Sequence, residues 1–238
     1  MQARWPSTGS AQEKARNMVF LTMGTGFGAG IIVDGRIYQG ANGNAGEIGH
    51  VRLTADGPIG YHKAGSAEGR VSGGGLAQWA AKAIGAAREA GESSLLLDLP
   101  PDHRATARDV GLAADKNDAL ACRIVTQLGQ KLGHALAILV DIPNPERIVI
   151  GGLAMRLGER LLEPARQALA EEALPHSAAA CRIVPAALGE RIGDVAALCI
   201  AMDAGAVTSE SRVSDTPHHY EDRPPSSPDR PNGRSPLR

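Results

Sequence analysis

The stretch MVFLTMGTGFGAGIIVDGRIYQGANGNAGEIGH, running from Met18 to His50, decides the fold. It opens on the apolar run Val19-Phe20-Leu21-Thr22-Met23, short and closely bounded, which predicts a buried strand. Gly24-Thr25-Gly26 breaks that run, and Ile31-Ile32-Val33 starts a second one. Asp34-Gly35 then gives a strong hairpin signal, because both residues tolerate the positive φ of a two-residue turn. Arg36-Ile37-Tyr38 supplies the return strand. The stretch reads as a β-meander with a bare glycine loop at its first turn and with Glu47 and His50 at its exit.

Gly24, Gly26, Gly28 and Gly30 alternate, and no helix pattern follows them, so they do not make a dinucleotide fingerprint. No Gly-Lys-Ser/Thr ending is present either, which excludes a Walker-type P-loop. What remains is a strand-turn-strand in which missing Cβ atoms let phosphate oxygens approach backbone N–H groups, with the Thr25 hydroxyl as a further donor. On the residues alone, a tight glycine hairpin without a ligand explains the pattern equally well. Glu47 and His50 stand three apart around Gly49 and can serve ligand hydroxyls as acceptor and donor. A capping glutamate and a packed histidine are the more ordinary reading of that pair.

The string from Leu21 to His50 resembles the signature region of the ROK family (repressors, open reading frames and sugar kinases). The likeness continues through Gly65-Ser66-Ala67-Glu68, through IPNPERIVIGGLA (Ile142 to Ala154) and through LGERIGDVAAL (Leu188 to Leu198), covering roughly Met18 to Gly205. The resemblance implies an α/β fold of the actin-like ATPase (ribonuclease H-like) type. This chain would form its C-terminal lobe, a β-meander followed by helices and alternating β/α. It also implies phosphoryl transfer from ATP and Mg²⁺ to a hexose, as in a glucokinase. By that likeness Glu47, His50 and Glu68 contact the sugar, Gly24, Thr25 and Gly26 face the phosphates, and Gly151 and Gly152 lie on the adenosine side.

Two departures accompany the likeness. A typical member carries an N-terminal lobe with a first phosphate loop and an Asn-Asp pair whose Asp is the catalytic base. No such pair precedes the signature here, and the chain's one Asn-Asp, Asn117-Asp118, lies far downstream in a helical pattern. No catalytic residue is therefore assigned, and the chain alone is expected to be inactive. The family also places three cysteines that bind a structural zinc together with the histidine of the Glu-x-Gly-His motif. The corresponding positions here hold Ile59, Tyr61 and Ser66, and tetrahedral zinc needs four N or S ligands. Only His50 is retained, with His62 unaligned, so zinc is not expected and no metal ligand is assigned. Packing and hydrogen bonds around Tyr61 and Lys63 are expected to hold that loop instead.

Further along, Ser72-Gly73-Gly74-Gly75 precedes a helical pattern from Leu76 to Ala90, closed by Gly91. The three glycines suggest either an anion-accepting helix start or a flexible entry. Thr106 and Asp109 resemble a capping box. The longest helix pattern spans Asn117 to Val140, with one apolar stripe at Leu120, Ile124, Leu128, Leu132, Leu136 and Leu139. Arg147-Ile148-Val149-Ile150 reads as a strand ending in Gly151-Gly152, followed by a helix from Leu157 to Ala173 and a strand at Arg182-Ile183-Val184. A last helix is read from Ile192 to Ala206.

Residues 1–17 form a polar lead-in, 18–206 the folded lobe, and 207–238 a Pro/Ser/Arg-rich tail with too few apolar residues to offset its ordering entropy. A net charge of -1 gives no argument for nucleic acid or an anionic membrane surface, and neither is expected as a partner. No apolar run reaches the ~18 residues of a membrane span. The three scattered cysteines, Cys122, Cys181 and Cys199, suit a reducing cytoplasm better than a disulfide framework. The expected partners are a sugar and ATP, with a homodimer as the oligomer to test. A sugar-sensing ROK repressor and a non-catalytic sugar-binding or oligomerising module are the alternatives; the repressor would need a helix-turn-helix, and no basic recognition helix is visible.

Overall fold

The computed structural model describes residues 15–100 and 102–186, all within one compact unit. The final helix read from Ile192 to Ala206, the tail 207–238 and most of the polar lead-in lie outside the described residues.

The meander forms as read. Strand β1 (Met18–Met23) pairs antiparallel with β2 (Phe27–Val33), which turns into β3 (Arg36–Ile37). Asp34 at φ 52° and Gly35 at φ 79° make the left-handed two-residue turn that matches strand twist. On its other side β1 pairs parallel with β6 (Arg147–Gly152), which pairs parallel with β7 (Arg182–Pro185). The five-stranded sheet has the order β3-β2-β1-β6-β7.

The alternation along β1 buries Val19, Leu21 and Met23 completely, and Ile148 and Ile150 of β6 lie on the same face. That face joins the apolar stripe of α4 (Ala119–Asp141), whose Leu120, Ile124, Leu128, Leu132, Leu136 and Leu139 are all buried. Each fully buried leucine contributes about 1.5–3 kcal/mol of transfer free energy, so this seam is the main source of stability. Helix α6 (Glu159–Glu172) packs along α4 with Leu161, Leu162, Ala165 and Leu169.

Before α4 come α1 (Ala67–Val71), α2 (Gly73–Glu89) and α3 (Ala107–Asp115). The capping box of α3 is complete: Asp109 N–H donates to Thr106 Oγ1 and Thr106 N–H to Asp109 Oδ2. His103 Nε2 lies 3.0 Å from the same Oδ2, and these bonds hold the Asp109 carboxyl down at about 2.

Three expectations need correction. The stretch Val51 to Ser66 is not all loop: β4 (Ile59–Gly60) and β5 (Lys63–Ala64) form a short hairpin. The helix read from Leu157 to Ala173 is α6, which starts two residues later because Gly158, at φ 54°, separates it from the short helix α5 (Leu153–Leu157). Helix α2 starts at Gly73 rather than Leu76, so its glycines lie inside the first turn. Two further helices, α1 and α7 (Pro175–Ala180), carry too few apolar repeats to show in the sequence. Among the described residues, no helix is long and apolar enough to cross a membrane.

Candidate functional site

The parallel strands β1 and β6 end side by side, with Thr22 opposite Gly151 and Met23 opposite Gly152. This register brings the glycine loop Gly24-Thr25-Gly26 against the pair Gly151-Gly152, 125 or more residues later in the chain. Gly152 has φ 71°, and a Cβ there would run into the Met23 carbonyl. The two segments are in backbone contact, at the edge where ligands enter open parallel sheets.

The loop faces two ways. Its carbonyls turn toward the start of α2: Gly73 N–H donates to Gly24 O at 2.8 Å and Gly74 N–H to Thr25 O at 3.4 Å. Gly75 N–H is capped by Ser72 Oγ at 3.0 Å. The anion-accepting reading of Ser72-Gly73-Gly74-Gly75 is thereby corrected, since those N–H groups are occupied by the loop and the cap. Side chains at Gly73 and Gly74 would crowd the loop carbonyls, at 3.1 and 3.2 Å. With the carbonyls drawn back, the N–H groups of Thr25 and Gly26 make no hydrogen bond among the described residues, and neither does the Thr25 hydroxyl. Three unpaired donors on one exposed loop, above the positive end of a 17-residue helix, form an anion cradle by chemistry.

Glu68 lies in the first turn of α1, which Ser66 caps by accepting from Gly69 N–H. Its Oε2 accepts from Phe27 N–H, the first residue after the loop, at 3.3 Å. A Cβ on Gly26 would come within 2.8 Å of that oxygen. The acid thus touches the glycine loop directly, a contact that no sequence pattern announces.

Glu47 precedes a single 3-10 turn, Ile48–His50, which His50 ends. Gly49 inside it packs against the Phe27 carbonyl, and a Cβ there would also come within 3.4 Å of the Glu68 Cβ. Ala29 N–H ties the preceding Gly46 carbonyl to β2 at 2.9 Å. Glu47 is exposed and makes no side-chain capping bond, while His50 is half-buried. The loop thus meets Gly151-Gly152 on one side and Glu68 on the other, and Gly49 of the Glu47–His50 turn packs on Phe27 and Glu68.

The loop beneath His50 is held by hydrogen bonds. Lys63 Nζ donates to the His50 carbonyl at 2.7 Å, and Tyr61 stands edge-on to the His50 ring at 5.0 Å. Arg70 reaches Thr54 Oγ1 and the Asp56 carbonyl, and Gln78 brackets Ile59 through both its amide atoms. Ser66 is fully buried, with its hydroxyl on the Gly60 carbonyl. Among the described residues, no group of three His, Cys, Asp or Glu side chains is placed to hold a metal ion.

The Asn117-Asp118 pair serves structure. Burial alone would raise the Asp118 carboxyl, but hydrogen bonds from Ala121 N–H, Leu95 N–H and Ser94 Oγ outweigh it and lower its pKa. Both carboxylate oxygens are engaged: Oδ1 caps α4 through Ala121 N–H and also accepts from Ser94 Oγ, while Oδ2 accepts from Leu95 N–H. Asp118 lines a depression with Glu92, Ser94 and Leu95 that shares no residue with the glycine-loop cluster.

A mixed-sheet α/β lobe with a glycine loop at the ends of its parallel strands defines the class by fold. The chain belongs to the ROK family, whose model matches residues 5–204, and has its actin-like ATPase fold. It is 40% identical over 185 residues to a glucokinase of Halalkalibacterium halodurans, an alignment covering 77% of this chain and 55% of that one. It is 29% identical over 168 residues to the Escherichia coli DNA-binding transcriptional dual regulator NagC, covering 69% and 39%. Among solved structures, a ROK family glucokinase from Streptomyces griseus in complex with glucose and AMPPNP superimposes with a TM-score of 0.68 at 29% identity. That match covers 81% of this chain and 62% of the other. The chain spans about half or less of the length of the curated relatives it matches.

Proposed function

We propose that this chain forms the C-terminal lobe of an ATP-dependent hexose kinase and carries one wall of its nucleotide-and-sugar cleft. The observation that supports this reading most is the loop at Thr25-Gly26, with unpaired donors, lying against Gly151-Gly152 and bonded through Phe27 to Glu68. On this reading the Thr25 and Gly26 N–H groups and the Thr25 hydroxyl receive phosphate oxygens of ATP. Gly151 and Gly152 let the adenosine side approach the main chain. Glu47, His50 and Glu68 bind sugar hydroxyls, and discrimination comes from leaving buried polar groups unpaired when a wrong sugar binds.

The donors present suit a triphosphate. Mg²⁺ is bound by one or two carboxylates plus phosphate oxygens and water, so the absence of a three-acid cluster among the described residues does not conflict with it. When bound it supplies neutralisation of phosphate charge. The described residues offer no Asn-Asp pair free to act as base, since Asp118 is engaged. A missing general base alone costs about 10²–10⁴ in rate. On this reading the chain is a cytoplasmic binding lobe without useful turnover on its own, acting with the other half of the cleft or with a second copy.

The test combines titration calorimetry of the 238-residue chain with ADP and with glucose and a coupled ADP-release assay on glucose, N-acetylglucosamine, mannose and fructose. Binding without turnover is the expected result. Turnover by this chain overturns its inactivity, and failure to bind either ligand overturns the cleft reading. A second reading, a sugar-sensing regulator, is favoured by the likeness to NagC and by a sugar cluster that needs no base to bind. Tight binding of operator-like duplex DNA by the chain would establish it in place of the kinase.

A further inference from the structure

Lys63 sits on β5, the return strand of the hairpin beneath His50. The two residues of that hairpin's turn, Tyr61 at φ 45° and His62 at φ 62°, are both left-handed without being glycine. The strain of that turn is modest but real, and it places Lys63 and Tyr61 against His50. The Lys63 ammonium makes both of its contacts to one residue: it donates to the His50 carbonyl at 2.7 Å and lies 3.0 Å from His50 Nδ1.

An ammonium has three donors and no acceptor, so a hydrogen bond at 3.0 Å requires Nδ1 to offer its lone pair. A neutral imidazole carries its single ring proton on the other nitrogen whenever Nδ1 accepts. That nitrogen, Nε2, has no hydrogen-bond partner among the described residues. It also reaches solvent, because no buried side-chain nitrogen or oxygen is left without a partner.

We propose that Lys63 is a positioning residue that locks His50 in the Nε2–H form and so makes the ring a hydrogen-bond donor to a sugar hydroxyl. The proposal deepens the reading of His50 as a sugar contact and rests on it. Its consequence is a specificity rule. Glu47 and Glu68 as carboxylates are acceptors only, and a hydroxyl has one proton to give and lone pairs to offer. With Nε2–H, the cluster presents two acceptors and one donor, which a vicinal pair of hydroxyls satisfies completely. With the other tautomer all three groups would accept, and a hydroxyl oxygen would be left without a donor. The ligand class that fits is a polyol with adjacent free hydroxyls. A ligand whose corresponding oxygen is replaced by hydrogen leaves the Nε2–H unpaired.

The test reads the tautomer directly. The full chain, labelled with ¹⁵N-histidine, is examined by long-range ¹H–¹⁵N correlation, with the His50 signals assigned by their loss in His50→Asn. The expected wild-type pattern is protonated Nε2 and unprotonated Nδ1, measured without sugar. Lys63→Met, which keeps the alkyl stem, is expected to give a mixture of tautomers and about tenfold weaker glucose binding. Lys63→Arg, which keeps donors at that point, is expected to retain the wild-type pattern and most of the affinity. A purely structural lysine would leave the tautomer unmoved. A proton on Nδ1 in the wild type, or an unchanged pattern in Lys63→Met, overturns the proposal. A proton on Nδ1 in the wild-type spectrum overturns the proposal even if Lys63→Met fails to fold, and Lys63→Leu then supplies the comparison. Glucose that leaves the wild-type His50 signals unmoved overturns the sugar contact, and with it the donor role, while a protonated Nε2 would still support the hold of Lys63 on the ring.

Discussion

The contact between Glu68 and the glycine loop makes a prediction that needs no ligand. Gly24 and Gly26 flank Thr25, and neither has a positive φ, so alanine is conformationally allowed at both. A Cβ on Gly24 meets nothing within 4 Å, whereas one on Gly26 comes within 2.8 Å of Glu68 Oε2. The obstacle is the far end of a side chain, so the carboxylate swings away and loses its bond from Phe27 N–H. That bond is 3.3 Å long, beyond the usual N–H···O range, and its loss costs about 1 kcal/mol. Both alanines also stiffen the unfolded chain, worth about 0.4–1 kcal/mol in favour of folding. G24A should therefore be mildly stabilising and G26A close to neutral, a difference of about 1 kcal/mol, or roughly 2–4 °C in Tm. In an E68A background the Cβ at position 26 has nothing to displace, and the two alanines should become equivalent. Urea denaturation of the six proteins in this cycle measures the coupling. A difference between G24A and G26A that persists in full without the Glu68 carboxylate refutes the contact as the cause.

Other perturbations test the frame around the site. Gly152→Ala places a Cβ in the Met23 carbonyl at a φ of 71°, and should cost about 2–4 kcal/mol in urea denaturation, loosening both halves of the cleft edge. Leu136→Ala empties a fully buried position on α4 and should cost about 2–5 kcal/mol. Asp109 is held down to about 2 by bonds from His103 and Thr106, from an ordinary value of 3.8. A lowered carboxyl stabilises the fold above its unfolded pKa and loses that contribution as pH falls through the folded one. Wild type should therefore exceed Asp109→Asn by about 1 kcal/mol at pH 6, the usual worth of a cap, and the gap should close between about pH 4 and pH 2.

The sequence disclosed the local patterns and little of how they meet. Alternating burial in β1, the Asp34-Gly35 turn, the Thr106–Asp109 box and the stripe of α4 each follow from residues a few positions apart, so a single window reveals them. The hairpin at Tyr61-His62 was hidden because its turn uses none of the residues that normally mark a left-handed pair. Helix α1 was hidden because five residues with one glycine show no period, and its stability comes from Ser66 and from packing against its neighbours. The helix read from Leu157 runs through Gly158; only tertiary structure shows that this glycine separates α5 from α6. The meeting of Gly24-Thr25-Gly26 with Gly151-Gly152 depends on the parallel register of two strands that lie more than a hundred residues apart, which no window contains.

The glycine helix start of α2 explains how one short loop can offer donors at all. A three-residue turn between antiparallel strands ordinarily folds its polar groups onto itself, and Gly24 N–H does so by donating to Gly26 O at 3.0 Å. The next two N–H groups stay free because the carbonyls of Gly24 and Thr25 are engaged from behind by Gly73 and Gly74. Side chains at those helix positions would meet the loop carbonyls at 3.1–3.2 Å and push the loop forward. On the proposed reading the helix acts on an anion at second hand: its N–H groups bind the loop, and its positive end lies behind the loop's own donors. Glu68 adds a carboxylate to the same loop, with Oε2 on Phe27 N–H and Oε1 without a hydrogen bond among the described residues. On the proposed reading, a sugar hydroxyl donating to Oε1 and a phosphate oxygen on Gly26 N–H are separated by one loop residue and one side chain. Occupancy of either side then changes the orientation of the group that serves the other. Sugar and nucleotide binding should be coupled in this chain, and Glu68→Gln, which keeps the size but replaces the charge, should weaken that coupling more than it weakens ADP binding alone.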